Sequence, residues 1–254
     1  MSINTHLQFL QTIGSKKPKT INNQVASCPF CQVDQLENIL VEKGSIILLK
    51  NKFPTLKDTF QTVLIETDDC QSEFSLYPKE HLYRLMDFAV SQWLQMSKSG
   101  EYQSVLLFKN HGPLSGGTIR HPHMQIVGLK YVDYRENIKE NDFVGVEIAS
   151  KRSVEFNISS EPRMGFYEYN VNLTNLEDLS IMADYIQMAA HYILNHNRFK
   201  CESYNLFFYQ LHNRISCKII PRYATTPLFI GYSIPQVSND LDGTVERIKD
   251  IYHI

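Results

Sequence analysis

The stretch Ser115–Val132, SGGTIRHPHMQIVGLKYV, decides how the rest of the chain is read. A glycine pair opens it, two histidines flank a proline, and an apolar run follows. From His121 onward it reads as a strand, rich in apolar and β-branched residues after a glycine-rich loop. On a strand, alternate side chains point to the same face. His121, His123 and Gln125 then line one side, and Pro122, Met124 and Ile126 the other. Three polar groups converge on one place, backed by an apolar face.

That grouping suits phosphate chemistry. A neutral imidazole is a nucleophile near pH 7, and attack on phosphorus gives a phosphoramidate that a second acceptor can resolve. Gln125 can donate an amide hydrogen bond to a phosphate oxygen without adding charge. The loop GPLSGG, Gly112 to Gly117, can turn its amides inward as an anion nest, placing Gly116 and Gly117 at the phosphate. Thr118 and Asn110 are further donors nearby. The plainer alternative is a pair of core histidines satisfied by hydrogen bonds.

Outward from this motif, the 254-residue chain has length for one large domain or two small ones. With 25 basic and 27 acidic residues and a net charge of −2, it carries no electrostatic footprint for duplex nucleic acid or an anionic membrane. No apolar run is long enough to span a bilayer, and residues 1–20 lack a small-residue cleavage site, so a cytoplasmic protein is expected. Thiols stay reduced there, which makes the five cysteines metal ligands or core residues rather than disulfides.

Residues 1–27 are polar and read as a loosely held N-terminal arm. GSIILLKNKFP and QTVLIETDD read as strands. Leu82, Leu85, Met86, Ala89, Trp93 and Met96 recur at helical spacing after Pro78, and Gly100 ends that run. YQSVLLFKN is a buried strand. The order returns in the second half. SVEFNIS and GFYEYNVNL are strands, a helix covers Leu176 to Ile193 with Thr174 or Asn175 as cap, and YNLFFYQL and RISCKIIPRY are strands again. DLDGTVERIKDIYHI reads as a closing helix. Strand–strand–helix–strand–strand thus occurs twice. The expected fold is α+β, with two similar units at 28–135 and 150–254, split where YRENIKEND is highly polar.

Cys28 and Cys31 form C-x-x-C, the tightest spacing at which two thiolates share one zinc. A redox pair would need a preceding strand and a thioredoxin-like order, both absent. Cys70 and His121 complete a Cys3His set, with His81 the rival to Cys70. Cys201 and Cys217 read as core.

FKNHGPLSGGTIRHPHMQ is similar to the active-site segment of the galactose-1-phosphate uridylyltransferase family, in the histidine-triad superfamily. That family has an asparagine eleven residues before H-P-H-x-Q, as Asn110 stands before His121, and an early C-P-x-C knuckle, as at Cys28 and Cys31. NKFPTL resembles a stretch lying against the nucleotide, which implies Asn51, Phe53 and Pro54. The family's third zinc ligand is a histidine in P-D-H, and TDDC places Cys70 there. The likeness covers roughly residues 25–130. It implies two pseudo-twofold-related histidine-triad-like halves, each an antiparallel sheet with a packed helix. It also implies zinc, a homodimer, and His123 attacking the α-phosphorus of a nucleoside diphosphate sugar with Gln125 as phosphate partner. The products are a nucleotidyl-histidine and a sugar 1-phosphate, and a sugar phosphate or phosphate then accepts the nucleotide. A glutamine at 125, where histidine-triad hydrolases carry a third histidine, implies transfer rather than hydrolysis.

KIIPRYATTPLFIGYS resembles the family's C-terminal strand, but its second H-x-H stands here as Arg214-x-Ser216, and its sugar-reading glutamate falls at Ser233. The leading expectation is therefore a nucleotidyltransferase. Its alternatives are a phosphorylase or hydrolase of dinucleoside polyphosphates or nucleotide sugars, and a zinc-stabilised protein that binds a nucleotide without turning it over.

Overall fold

The computed structural model describes residues 6–21 and 27–254. The chain divides into two compact units, Met1–Glu73 with Arg84–Ile138 and Phe74–Tyr83 with Lys139–Ile254. In chain order the first half contains a single helical turn α1 (Gln11–Gly14), β1 (Ile39–Lys43), β2 (Ile46–Lys50), β3 (Thr59–Ile65), α2 (Lys79–Lys98), β4 (Ser104–His111) and β5 (His123–Leu129). The strands of the first unit run in the order β1-β2-β3-β5-β4, each neighbouring pair antiparallel.

The second half contains β6 (Gly145–Lys151), β7 (Val154–Ser159), β8 (Tyr169–Leu173), α3 (Leu179–Asn195), β9 (Tyr204–Gln210), β10 (Ile215–Pro221), α4 (Pro227–Tyr232) and α5 (Leu241–Tyr252). Its order, β9-β10-β8-β7-β6, is again antiparallel throughout. The fold is α+β with antiparallel sheet, as the sequence leads one to expect. Each unit has one more strand than that reading gave, β1 and β6. Both are outermost, and both are poor in buried residues: β1 is half-buried only at Ile39, and β6 buries only Ile148. Without a buried face they show no apolar alternation.

The helices follow their apolar stripes. Leu82, Leu85, Met86, Ala89 and Trp93 of α2 are fully buried, and the Trp93 indole N–H donates to the Val105 carbonyl at 2.9 Å. α3 lays Met182, Ala183, Ile186, Ala189, Ala190 and Ile193 against β7, β8 and β10. Asn175 caps a preceding 3-10 turn, Leu176–Asp178, rather than α3 itself. Under the site, Ile47, Leu49, Val63 and Ile65 of β2 and β3 pack with Phe30.

The N-terminal segment corrects one expectation. Residues 1–5 and 22–26 of the expected arm lie outside the described residues. Residues 6–21 are not loosely held. The Leu10 amide donates to the Thr55 carbonyl at 2.8 Å, Lys57 N–H donates to the Gln8 carbonyl at 3.0 Å, and Thr20 N–H donates to the Thr118 carbonyl at 2.8 Å. Polar composition suggested an arm, but backbone pairing and a buried Thr20 hold it.

Candidate metal centre and nucleotide pocket

Cys28, Cys31, Cys70 and His121 come together, their sulfur and nitrogen atoms all within 4.8 Å of one another. Cys28 and Cys31 sit on one turn, with Cys31 N–H donating to the Cys28 carbonyl at 3.2 Å. Cys70 lies in a turn beyond β3, which ends at Ile65, rather than at the strand terminus itself. His121 stands just before β5, not within it. His81 is not part of the cluster and packs edge-on to Tyr77 at 4.9 Å. Cys201 and Cys217 are buried elsewhere, as core cysteines.

The spacing fits a tetrahedral ion. Bonds of about 2.3 Å to sulfur and about 2.0 Å to nitrogen put sulfur and nitrogen about 3.5 Å apart. Both Cys28 Sγ and Cys31 Sγ lie 3.5 Å from His121 Nδ1. The opposite ring nitrogen, Nε2, donates to the Thr67 carbonyl at 2.7 Å, so that with a metal bound Nδ1 would be the nitrogen that gives it a lone pair. The thiols differ. Burial disfavours the Cys28 thiolate, but hydrogen bonds from His121 and the Phe30 and Cys31 amides outweigh it and bring its pKa to about 6. Burial and the neighbouring thiols push Cys70 up to about 12. A cation would relieve that crowding of thiolates. Three thiols and an imidazole are a donor set that can bind a metal such as zinc.

Phe30, between the two knuckle cysteines, links this cluster to the second histidine. Its ring lies edge-on to His121 at 5.9 Å and to His123 at 5.4 Å between centroids. One ring reaches both imidazoles, so both stand on the same side, as the H-x-H alternation requires. His123 is buried, with Nδ1 2.7 Å from the His121 carbonyl. A carbonyl only accepts, so Nδ1 carries the proton and Nε2 keeps the lone pair. Burial drives the His123 pKa down to about 4, the positive charges of Lys109, His121 and Lys17 act in the same direction, and the His121 carbonyl opposes them. At neutral pH the ring is uncharged.

His123 and Gln125 line a cavity of about 260 Å³. Asn51 and Phe53 follow β2 into its wall, and Asn110 enters from the end of β4. Gly116, Gly117 and Thr118 form another side, Pro29 and Phe30 of the knuckle a third, and Leu49 and Val63 also contribute. Asn51 Oδ1 accepts from the Phe53 amide at 2.8 Å, which fixes the turn that presents both residues. Gly116 has φ of 85°, a left-handed conformation that favours glycine. A Cβ on Gly117 would approach Asn110 Cβ to 3.2 Å and Ile21 Cδ1 to 3.4 Å. Of the nine residues expected at the phosphate or nucleotide, eight line this one cavity and Pro54 does not, and none of the four metal-cluster residues is part of its lining.

Sequence reading missed Lys17 and Pro18, which also line the cavity, because that segment read as an arm. It also missed a buried ion pair, Lys109 Nζ to Glu66 Oε1 at 2.5 Å. In the second unit, Ser216 is buried and donates to Asn172 Oδ1 at 2.7 Å, and Arg214 pairs with Glu140 at 2.6 Å. The Phe143 ring lies against Arg214 at 5.9 Å and Lys218 at 5.8 Å. Here the strand face is occupied by the protein's own polar network.

Comparison with known proteins agrees with this architecture. A family model described as the N-terminal domain of DUF4931, a domain of unknown function, matches residues 9–132, and the model of the C-terminal domain matches 135–253. The crystal structure of a DUF4931 family protein from Bacillus cereus ATCC 10987 is 47% identical with a TM-score of 0.78, covering 84% of this chain and 99% of that one. A uridylyltransferase structure is 15% identical with a TM-score of 0.70, covering 89% of this chain and 91% of that one. An ADP-glucose phosphorylase from Arabidopsis thaliana with bound ADP-glucose is 13% identical with a TM-score of 0.71, covering 92% and 91%. At such identities the shared property is the fold. A 51-residue stretch, 20% of this chain, is 39% identical to part of a di-/tripeptide transporter from Lactobacillus helveticus, and the match spans 10% of that relative. No helix among the described residues is long and apolar enough to cross a membrane.

Proposed function

The chain belongs to the DUF4931 family, and we propose that it is a nucleotidyltransferase that works through a covalent nucleotidyl-histidine at His123. One observation carries the reading: His123 lines the cavity with Nδ1 protonated toward the His121 carbonyl, so its other nitrogen has a free electron pair. The donor is a nucleoside diphosphate sugar. The Nε2 lone pair forms a bond to the α-phosphorus, and the bond from that phosphorus to the bridging oxygen breaks. Sugar 1-phosphate leaves with the electron pair. A phosphate oxygen of a sugar phosphate or of inorganic phosphate then attacks the same phosphorus, and its bond to nitrogen breaks.

The surroundings suit that sequence of events. Gln125 donates to a non-bridging oxygen, and the Gly116–Gly117–Thr118 amides and Asn110 offer donors as charge builds there. Asn51 and Phe53 hold the nucleoside. A zinc ion held by Cys28, Cys31, Cys70 and His121 would be structural, fixing the orientation of His121. The uridylyltransferase and ADP-glucose phosphorylase that share the fold support nucleotide-sugar chemistry as a class. In this reading the protein acts as a cytoplasmic homodimer.

Isotope exchange tests the proposal. Labelled sugar 1-phosphate, incubated with protein and the matching unlabelled nucleotide sugar without any second acceptor, is expected to enter the nucleotide sugar. His123→Gly should abolish the exchange. Tight, reversible nucleotide binding with no exchange across a panel of nucleotide sugars would favour a binding protein instead.

A further inference from the structure

The segment that the sequence presents as a polar arm has its own place in the pocket. Lys17 and Pro18 form part of the cavity wall that contains His123 and Gln125. Three residues on, Thr20 is buried at 5% exposure and bonded to the glycine loop from both its backbone and its side chain. Its amide donates to the Thr118 carbonyl at 2.8 Å, the Ile21 amide donates to the same oxygen at 3.2 Å, and Thr20 Oγ1 accepts from the Arg120 amide at 2.9 Å. Ile21 also stands against Gly117, where an added methyl would lie 3.4 Å from its Cδ1. Residues 17–21 therefore form a strap over the loop that offers amides to the phosphate.

Charge gives the strap a role. Near His123 the loop amides, Asn110, Thr118 and Gln125 are all neutral donors. Lys109 is spent on Glu66 at 2.5 Å, within a buried pair. Lys50 and Lys52 line the cavity as well, but they lie beside Asn51 and Phe53, at the end assigned to the nucleoside. Burial pulls the Lys17 pKa below its ordinary value. Glu37 also lines the cavity, where it pairs with Lys52 at 3.8 Å. A diphosphate entering the cavity would supply a counter-charge to Lys17.

Resting on the transferase reading above, we infer that the strap is part of the phosphate subsite. Lys17 is the cation that meets the departing phosphate of the donor, and Thr20 holds the strap and the glycine loop in register. The ligand class is a nucleoside diphosphate ester, and the group Lys17 touches is the phosphate that leaves as sugar 1-phosphate. Lys17 is a substrate-contacting residue, whereas Thr20 is a positioning residue.

The test compares Lys17→Gln, Lys17→Arg and Thr20→Val with the unaltered full chain in the exchange assay, with thermal unfolding and zinc content in parallel. Lys17→Gln is expected to lower the maximal exchange rate at least tenfold with no change in unfolding temperature or zinc, and Lys17→Arg to recover most of it. Thr20→Val should raise the half-saturating concentration of the donor more than it lowers the maximal rate, with Thr20→Ser restoring it. Exchange by Lys17→Gln at the unaltered rate would overturn the inference while leaving the role of His123 standing. No exchange in the unaltered protein would instead remove the reading on which the inference rests.

Discussion

At the scale of single residues, the proposed site is built on the alternation His121, His123, Gln125. That much was legible, because a strand has a side-chain period of two and the apolar residues between fix which face is which. The contact partners were less legible. Phe30 touches both imidazoles from ninety residues away, and Lys17 enters from a segment whose composition pointed outward. Gln125→Glu follows from the neutral-donor argument. A carboxylate there repels phosphate oxygens, so donor affinity should fall at least tenfold by calorimetry while the unfolding temperature stays within a few degrees. Equal affinity in Gln125→Glu would mean that Gln125 does not face the phosphates. Gly116→Ala must hold a Cβ at φ of 85°. A loss of about 1–2 kcal/mol in denaturant unfolding is expected.

At the scale of elements, the knuckle and the glycine loop behave as supports. Cys28→Ser and Cys70→Ser should each lose bound zinc and unfold at lower temperature, because structural zinc contributes folding free energy. His81→Ala should keep one equivalent by elemental analysis, since His81 packs on Tyr77 away from the cluster. The reverse pattern would restore His81 as the ligand. The sequence offered Cys70 and His81 as rivals, and spacing could not separate them, because a ligand arriving from a distant turn leaves no local pattern. The long helices and inner strands were readable from their apolar periods. The outer strands β1 and β6 were not, since exposure removes the alternation that marks a strand. The helical turn α4 has no buried residue and was likewise missed.

At the scale of the whole molecule, each unit buries a lysine–glutamate pair among the described residues. Lys109 meets Glu66 at 2.5 Å and Lys218 meets Glu168 at 2.9 Å, all four side chains at 1% exposure or less. Sequence alone seldom reveals such pairs, because charged residues are expected outside. Removing one partner takes the ion pair from a buried charge. Lys109→Met should cost about 3–5 kcal/mol in denaturant unfolding, and Lys109→Met combined with Glu66→Leu should recover part of that loss. In Lys218→Met the Arg163 and Met164 amides, which donate to the Glu168 carboxylate at 2.9 and 2.8 Å, would still hold part of its charge. An unchanged stability in Lys109→Met would show that Glu66 is held by other contacts.

The proposed reaction requires that His123 become bonded to phosphorus during turnover. Peptide mass spectrometry of protein quenched in base after incubation with a nucleoside diphosphate sugar, without acceptor, examines it directly. A nucleotidyl group is expected on the peptide that contains His121 and His123, localised to His123, lost on acid treatment and absent from His123→Gly. A donor that is consumed with no adduct on His123, or with the adduct on another side chain, would contradict it.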